Sequence, residues 1–538
     1  MSTHSRHRFR RIWRLALFAL VLAPAVVVSI RARAQAEPED AAGRGRILLV
    51  LPFDNRTGQP SLEWIREAAP ELLGSRFASA GFAPLSRADR LYALDHLGLP
   101  QGFQPSHASS LKLAQTLDAD SIIVGSYRTD GDRIEAQAQI ISVPRLRMSA
   151  PITSSGEMRN LIAVFDSLAW KLTRQLDPGF NVAEETFVAA GANLHLEAFE
   201  QYIRGITEPD QAERLRHLQQ AVKLDPGFPQ AWMALAREDY AGQQYEQAAA
   251  AFARVKGNDA DALEAGFYRG LALMFSGEYA KAEAAFSGVA RVLPLAPVLN
   301  NQGVAISRQG HDASALFRQA EGADPNDPDY HFNLAVSLKR HGDTAGAQTE
   351  LAQYLKLRPN DSEATGMQAA WRQTSSASTV DPLERIERGF DAVAFRQAAM
   401  VLDQMEASRL AALTPQQQAQ TLATQAREYL SRGLLLESER LYQQAIAADN
   451  HSEAAHEGLA EVRERTGDTA GARREAQAAL EVHPSADAYL VLARLDIAAN
   501  HLEDATRNAE EALKLSPNSQ AAKEVERQIS ARQGAAKP

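Results

Sequence analysis

The sequence predicts a mostly α fold: a superhelix of stacked antiparallel helix pairs in two arrays, preceded by a small α/β (α+β) domain. Three observations carry this prediction. Proline-type positions recur at one spacing through the carboxy-terminal two thirds of the chain. Small and large apolar residues keep a constant phase between them. Ahead of the repeats lie two continuous apolar runs of the kind that form buried strands.

The chain has 538 residues, too many for one ordinary core. Hydrophobic residues make up 45% and charged residues 23%, a globular composition, while aromatics reach only 7%. Frequent Ala, Leu, Gln and Glu favour helix over sheet. The first 36 residues hold seven Arg and no Asp or Glu, so the remainder carries 50 Lys and Arg against 67 Asp and Glu, a net charge of −17. Such acidity disfavours nucleic acid, whose phosphates supply most of the affinity for its partners. No Cys is present, which excludes disulfides, thiolate metal sites, cysteine nucleophiles and a lipidated-Cys anchor.

Residues 1–36 read as a signal peptide or signal anchor. Arg6, Arg8, Arg10, Arg11 and Arg14 precede an apolar run over 15–30, then Ala34-Gln35-Ala36, an A-x-A cleavage site. Arg31 and Arg33 follow the apolar run, where positive charge slows translocation, so an uncleaved anchor is the alternative to a cleaved leader. Both place the body outside the cytoplasm: periplasmic or secreted, or anchored at the inner membrane with the body in the periplasm. Residues 37–45 read as a linker.

The domain expected over 46–180 starts with the apolar run Ile47-Leu48-Leu49-Val50-Leu51, stopped by Pro52-Phe53-Asp54-Asn55-Arg56-Thr57-Gly58. Ser61 is placed as the cap of a helix whose apolar stripe includes Leu62, Ile65, Leu72, Leu73 and Phe77. A short strand near 82–85 and helical stretches near 88–96 and 109–117 follow. Ser121-Ile122-Ile123-Val124-Gly125-Ser126-Tyr127 reads as a second buried strand, Asp130-Gly131 as a hairpin turn into 133–143, and 158–176 as a closing helix. The segments Leu49–Gly58 and Ala119–Tyr127 together resemble the opening of small bacterial envelope domains, the amino-terminal domain of the Tol-Pal translocation protein and the curli-secretion lipoprotein family. That resemblance implies a non-catalytic envelope interaction domain.

Farther on, Pro226 and Pro294 lie 68 residues apart, Pro325 and Pro359 34 apart, Asn450 and Pro484 34 apart, and Pro517 follows 33 later. A helix pair of this kind buries its apolar stripe only against a neighbouring pair, so the pattern has to recur. The internal markers agree in phase: Trp232-x-x-Leu235-Ala236 with Ala248-x-x-x-Phe252; Gly270, Gly277, Ala282 and Phe286; Gly303, Gly310, Ala313 and Phe317; Asn333-Leu334-Ala335, Gly342 and Ala347. Leu459-Ala460, Gly467 and Ala472, then Leu492-Ala493, Ala505 and Ala512, continue it. Period, phase and residue type resemble the tetratricopeptide-repeat (TPR) family over about 193–530. The arrays are expected at 193–372 and 383–533, separated by a polar linker at 373–382. Residues 383–413 read as an amphipathic helical stretch with Phe390, Phe395, Met400 and Leu402. Residues after Asn518, with Val525 and Ile529 on one side, read as a capping helix.

The resemblance implies a concave face lined by first helices that binds proteins or peptides. The phase puts Met233, Arg237, Tyr240, Phe267, Leu271 and Met274 on that face, continued by Asn300, Ser307, Phe332, Lys339 and Arg340. Packing between neighbouring helices is the competing account of several of them. The Asn/Lys/Arg set with which some family members grip a carboxy-terminal carboxylate is not reproduced.

Patterns of catalysis are weak. Ser109-Ser110-Leu111-Lys112 has the S-x-x-K spacing without S-D-N or K-T-G, and a helix start accounts for it. His451, Glu453, His456 and Glu457 lack H-E-x-x-H spacing and read as solvated helix residues. Asn55-Arg56-Thr57 reads as a turn. No phosphate-binding Gly-rich loop follows a strand. The sequence therefore predicts an exported, non-enzymatic scaffold that needs no cofactor and binds protein or peptide partners. The alternative is a component of an envelope assembly or secretion complex that oligomerises through the first domain.

Overall fold

The computed structural model describes residues 46–538 except 101, 103–105, 257–259, 373–381, 391 and 536–538. The leader, most of the polar linker and the side chains of Met400 and Leu402 lie outside the described residues. All described residues belong to one packing unit.

The apolar run forms strand β1 (Ile47–Val50), which pairs in parallel with β3 (Ala83–Pro84) on one side and β4 (Ser121–Asp130) on the other. Strand β4 turns at Gly131 into antiparallel β5 (Arg133–Ser142), with Asp130 opposite Arg133. Three short strands escape the sequence pattern. β2 (Asp54–Asn55) pairs with β4, while β6 (Arg147–Met148) and β7 (Ile152–Glu157) pair with β5. Residues 54–55 read as turn, and Ile152-Thr153-Ser154-Ser155-Gly156-Glu157 is too polar to signal a strand. It is stabilised by its ladder to β5 rather than by its own burial.

Helices α1 (Ile65–Ser79) and α4 (Leu161–Leu176) cover one face of the sheet through Leu72, Leu73, Phe77, Phe165 and Leu168. Helices α2 (Arg87–His96) and α3 (His107–Thr116) cover part of the other through Ala93, Leu94, Leu113 and Ala114. Ser61 does not cap α1. It lies in a 3-10 turn over Pro60–Leu62, and α1 begins four residues later without a side-chain cap.

Helix pairs follow from Leu196 on. In the first array they run Leu196–Thr207 with Gln211–Leu224, Pro229–Ala241 with Tyr245–Phe252, Ala260–Phe275 with Tyr279–Ala290, Ala296–Ser307 with Ser314–Ala323, and Pro328–Arg340 with Thr344–Leu357; the helix Ser362–Arg372 comes last. In the second they run Pro415–Ser431 with Leu435–Ala448, Glu453–Thr466 with Thr469–Val482, and Ala486–Ala498 with Leu502–Leu515. The last helix, Gln520–Ala535, buries Val525 and Ile529 against the preceding pair, as a terminal cap must. Glycine inside a pair marks close approach: a Cβ on Gly303 would stand 2.8 Å from the ring of Phe317.

The first domain and the first repeats share one core. Phe180, Val182, Phe187, Phe199 and Tyr202 pack into the cluster that holds Phe53, Phe77 and Phe165. The second array returns to this region. Helix α5 (Glu184–Ala189) packs against Leu435–Ala448 and Glu453–Thr466. Glu439 accepts the Ala183 amide at 3.1 Å, and Gln443 donates to the Asn181 carbonyl at 3.1 Å.

Residues 383–413 are only partly helical. The helix spans Ala392–Ala411, whereas residues 382–390 carry no helix or strand and join the first array.

Candidate peptide-binding groove

The first helices of successive pairs, Ala260–Phe275, Ala296–Ser307 and Pro328–Arg340, share a face that includes Phe267, Asn300, Asn301, Ser307, Phe332 and Asn333. Residues 382–390 lie along this face, running from Pro328–Arg340 back to Ala260–Phe275 against the order of the repeats. The open trough expected from the sequence is therefore filled here by the chain itself.

Two asparagines grip the backbone of this strap. Asn333 Nδ2 donates to the Arg385 carbonyl at 2.7 Å, and its Oδ1 accepts the Arg385 amide at 2.7 Å. Asn301 repeats the pattern on Glu387, donating at 2.8 Å and accepting at 2.9 Å. Asn300 adds a donor to the Arg385 carbonyl at 3.1 Å and receives Asn333 Nδ2 at 2.8 Å. All three asparagines are fully buried. Alternate residues of the strap thus have both backbone polar groups satisfied from one side, the arrangement an extended chain offers.

The side chains of the strap enter matched sites. The Glu384 carboxylate is buried and bonded to Arg340 and Ser307, and Arg308 Nε lies 2.8 Å from its second oxygen. The Arg385 guanidinium stands 4.0 Å from the Phe332 ring and 4.8 Å from the Tyr354 ring. It reaches Asp361 at 2.8 Å and Asp329 at 3.2 Å and bonds the Tyr354 hydroxyl. The Phe390 ring packs 5.7 Å from that of Phe267 and 4.0 Å from that of Phe395.

The electrostatics follow from these contacts. Burial alone would raise the Asp361 carboxyl, but hydrogen bonds from Arg385 and Tyr354 hold it well below the usual carboxylate range. Burial likewise opposes the charge on Arg385, and its bonds to Asp361 and Asp329 more than restore it. Glu387 has the opposite fate: burial, reinforced by Asp327 and Asp329, pushes its carboxyl up to about 7.

The residues expected on this face divide into three groups. Asn300, Ser307, Phe332 and Arg340 touch the strap at Glu384 and Arg385, and Phe267 meets Phe390. Met233, Leu271 and Met274 are buried between helices, which is the packing account. Arg237 pairs with Glu264 at 2.7 Å, Tyr240 belongs to a ring cluster with Tyr245, Tyr268 and Phe275, and Lys339 reaches Thr344 at 3.2 Å. The sequence reading missed Asn301, Asn333, Arg308, Asp329, Tyr354 and Asp361. A signal existed in Asn301-Gln302-Gly303 and Asn333-Leu334-Ala335, where an Asn stands two residues before the small residue of each first helix.

His456 is not a solvated helix residue. It is buried, with Nδ1 2.8 Å from Glu475 and Nε2 3.1 Å from the Asn450 carbonyl. His331 makes the same pair of contacts one array earlier, to Glu350 at 2.8 Å and the Pro325 carbonyl at 3.1 Å. A clasp repeated at two equivalent positions is a feature of repeat packing. Ser109 and Ser110 sit near the start of α3, where Ser106 caps the helix by accepting the Ser109 amide.

Comparison with known proteins bears on the repeats. Family models described as tetratricopeptide repeat match residues 307–370 and 424–488. No curated protein sequence gives a significant match. Among solved structures, MamA (residues 41 to the end) from Desulfovibrio magneticus RS-1 is 19% identical, with 31% of this chain and 99% of that one covered and a TM-score of 0.28. YrrB, described as a TPR protein with an unusual peptide-binding site, is 13% identical over 38% of this chain and 99% of its own, with a TM-score of 0.29. The C-terminal domain of LpoB from Salmonella enterica is 19% identical over 22% and 87%, with a TM-score of 0.19. The helix pairs over 307–370 and 424–488 are tetratricopeptide repeats, and the chain carries them in both halves of its helical region.

Proposed function

We propose that this chain is an exported, non-enzymatic scaffold that recruits partner proteins by holding an extended segment of them across the first helices of residues 260–372. One observation carries the proposal: Asn301 and Asn333 each exchange paired hydrogen bonds with the backbone of alternate residues in an extended segment. Contacts of this kind accept any sequence of suitable shape, and the flanking charged and aromatic sites select among sequences. The repeats supply the rigid frame. The basic, apolar and A-x-A leader supports a periplasmic or secreted location, and the acidic body supports a protein rather than a nucleic-acid partner. Among the described residues no helix is long and apolar enough to cross a membrane.

The test frees the groove first. A full-length chain carrying Glu384→Ala and Arg385→Ala loses the side-chain hold on its own strap and is screened against a library of extended nonapeptides. Binding is expected, and adding Asn301→Ala and Asn333→Ala should abolish it. Undiminished binding without the two asparagines overturns the proposal. Amino-terminal sequencing of the exported protein tests the leader, with Glu37 expected as the first residue of a cleaved form.

A further inference from the structure

We infer that residues 382–390 are a built-in competitor of the partner, and that the partner presents Glu-Arg, then a basic or neutral residue two positions after the Arg, then an aromatic residue five positions after it. This inference rests on the groove being a peptide receptor and adds how access is controlled and which sequence gains it.

The first part follows from tethering. The strap is joined by short connections to the helix Ser362–Arg372 before it and the helix Ala392–Ala411 after it, so its local concentration at the groove is on the order of millimolar. A free peptide making identical contacts would displace it only near that concentration. A partner must therefore fit better than the strap.

The second part follows from where the strap fits and where it does not. Glu384 is matched by Arg308 and Arg340, Arg385 by Asp329, Asp361 and two ring faces, and Phe390 by Phe267 and Phe395. Those three positions define what a competitor must keep. Glu387 is the misfit: its carboxylate oxygen and those of Asp327 and Asp329 all lie within 4.8 Å of one another. Like charges at such range oppose binding. A Lys or Gln at this position removes the repulsion, and a Lys replaces it with attraction, while the Asn301 clamp, which touches only backbone, is unaffected. The self-segment is thus a good ligand with one deliberate weakness, and that weakness tells the competitor's chemistry.

The experiment uses the unaltered full chain and labelled nonapeptides of residues 382–390: the native sequence, a Glu387→Lys form and an Arg385→Ala form. The Glu387→Lys peptide should bind at least about tenfold tighter than the native one, since tenfold is only about 1.4 kcal/mol, and the Arg385→Ala peptide should not bind. As the Glu387→Lys peptide saturates the chain, the chain's own Arg385 and Glu387 amides should lose hydrogen-exchange protection. Against the Glu384→Ala/Arg385→Ala chain, the native peptide should gain about a hundredfold once the millimolar internal rival is gone. Equal affinity of the native and Glu387→Lys peptides overturns the motif. Binding that leaves the two amides protected overturns competition. A Glu384→Ala/Arg385→Ala chain with unchanged helical content and unfolding transition that binds no peptide at all would instead overturn the groove as a receptor.

Discussion

Asn333 and Arg385 exchange two hydrogen bonds of 2.7 Å each across 52 residues of chain, one in each direction between a side-chain amide and a backbone peptide. Removing the asparagine strands the Arg385 amide, while the Arg385 carbonyl keeps its bond from Asn300 at 3.1 Å, and the lost acceptor costs about 1–3 kcal/mol. Asn333→Ala should therefore raise the exchange rate of the Arg385 amide by about ten- to a hundredfold in hydrogen-exchange mass spectrometry. The Glu387 amide, held by Asn301, should change less. Unchanged protection at Arg385 would show that the clamp does not hold the strap.

A second outcome concerns Glu384, whose side chain is fully buried against Arg308 and Arg340. Breaking a buried pair from one side strands a charge, at a cost of up to about 3–5 kcal/mol. Arg340→Met should loosen the strap by leaving Glu384 with Arg308 alone, and Glu384→Gln in the same chain should recover part of the loss because the fully buried group is then neutral. A double-mutant cycle on denaturant unfolding measures the coupling, and strictly additive effects would contradict it.

Acidity should tighten the strap. The Glu387 carboxyl is pushed up to about 7 in the docked state by burial, Asp327 and Asp329, from 4.5 for a free side chain. The docked state therefore holds the proton over a range where the released one has lost it, so docking weakens as pH rises from about 4.5 to 7 and levels off above. Asp361 shifts the opposite way, and its contribution is lost only in strong acid. Protection of the Arg385 amide, corrected for intrinsic exchange, should fall between pH 5 and pH 8, and Glu387→Gln should flatten the dependence.

The second array is fastened to the first domain through Glu439, a buried carboxylate that accepts the Ala183 amide at 3.1 Å and Arg463 Nη2 at 3.2 Å. Glu439→Ala leaves Arg463 with Glu475 and Asp468 but strips the Ala183 amide of its acceptor. That amide should exchange at least about tenfold faster, and the thermal midpoint of the chain should fall. An unaffected Ala183 amide would place the fastening elsewhere.

Much of the fold was legible because its signals are periodic. The spacing from Pro325 to Pro359 and the pairing of Gly303 with Phe317 both express one rule, that helix pairs must repeat to bury each other. The run Ile47–Leu51 gave β1 for an equally local reason. What escaped had no local signature. Strand β7 is polar and exists through its ladder to β5. The strap is rich in charge, Glu384-Arg385-Ile386-Glu387-Arg388, and Phe390 and Phe395 made it look like the start of an amphipathic helix. Its extended form depends on Asn301 and Asn333, about 50 to 90 residues earlier in the chain. A non-local constraint of that kind leaves no period to read. Met233, Leu271 and Met274 were placed by phase on the correct helices but on the side that packs against a neighbour.

The interior position of Glu384 carries one more consequence. Mobile ions shield charges that stand in water and reach enclosed ones poorly. A surface latch made of the same residues would slip open in brine, whereas this one should stay shut from dilute buffer to near-molar sodium chloride. What unlocks it is a matching key rather than a change of salt.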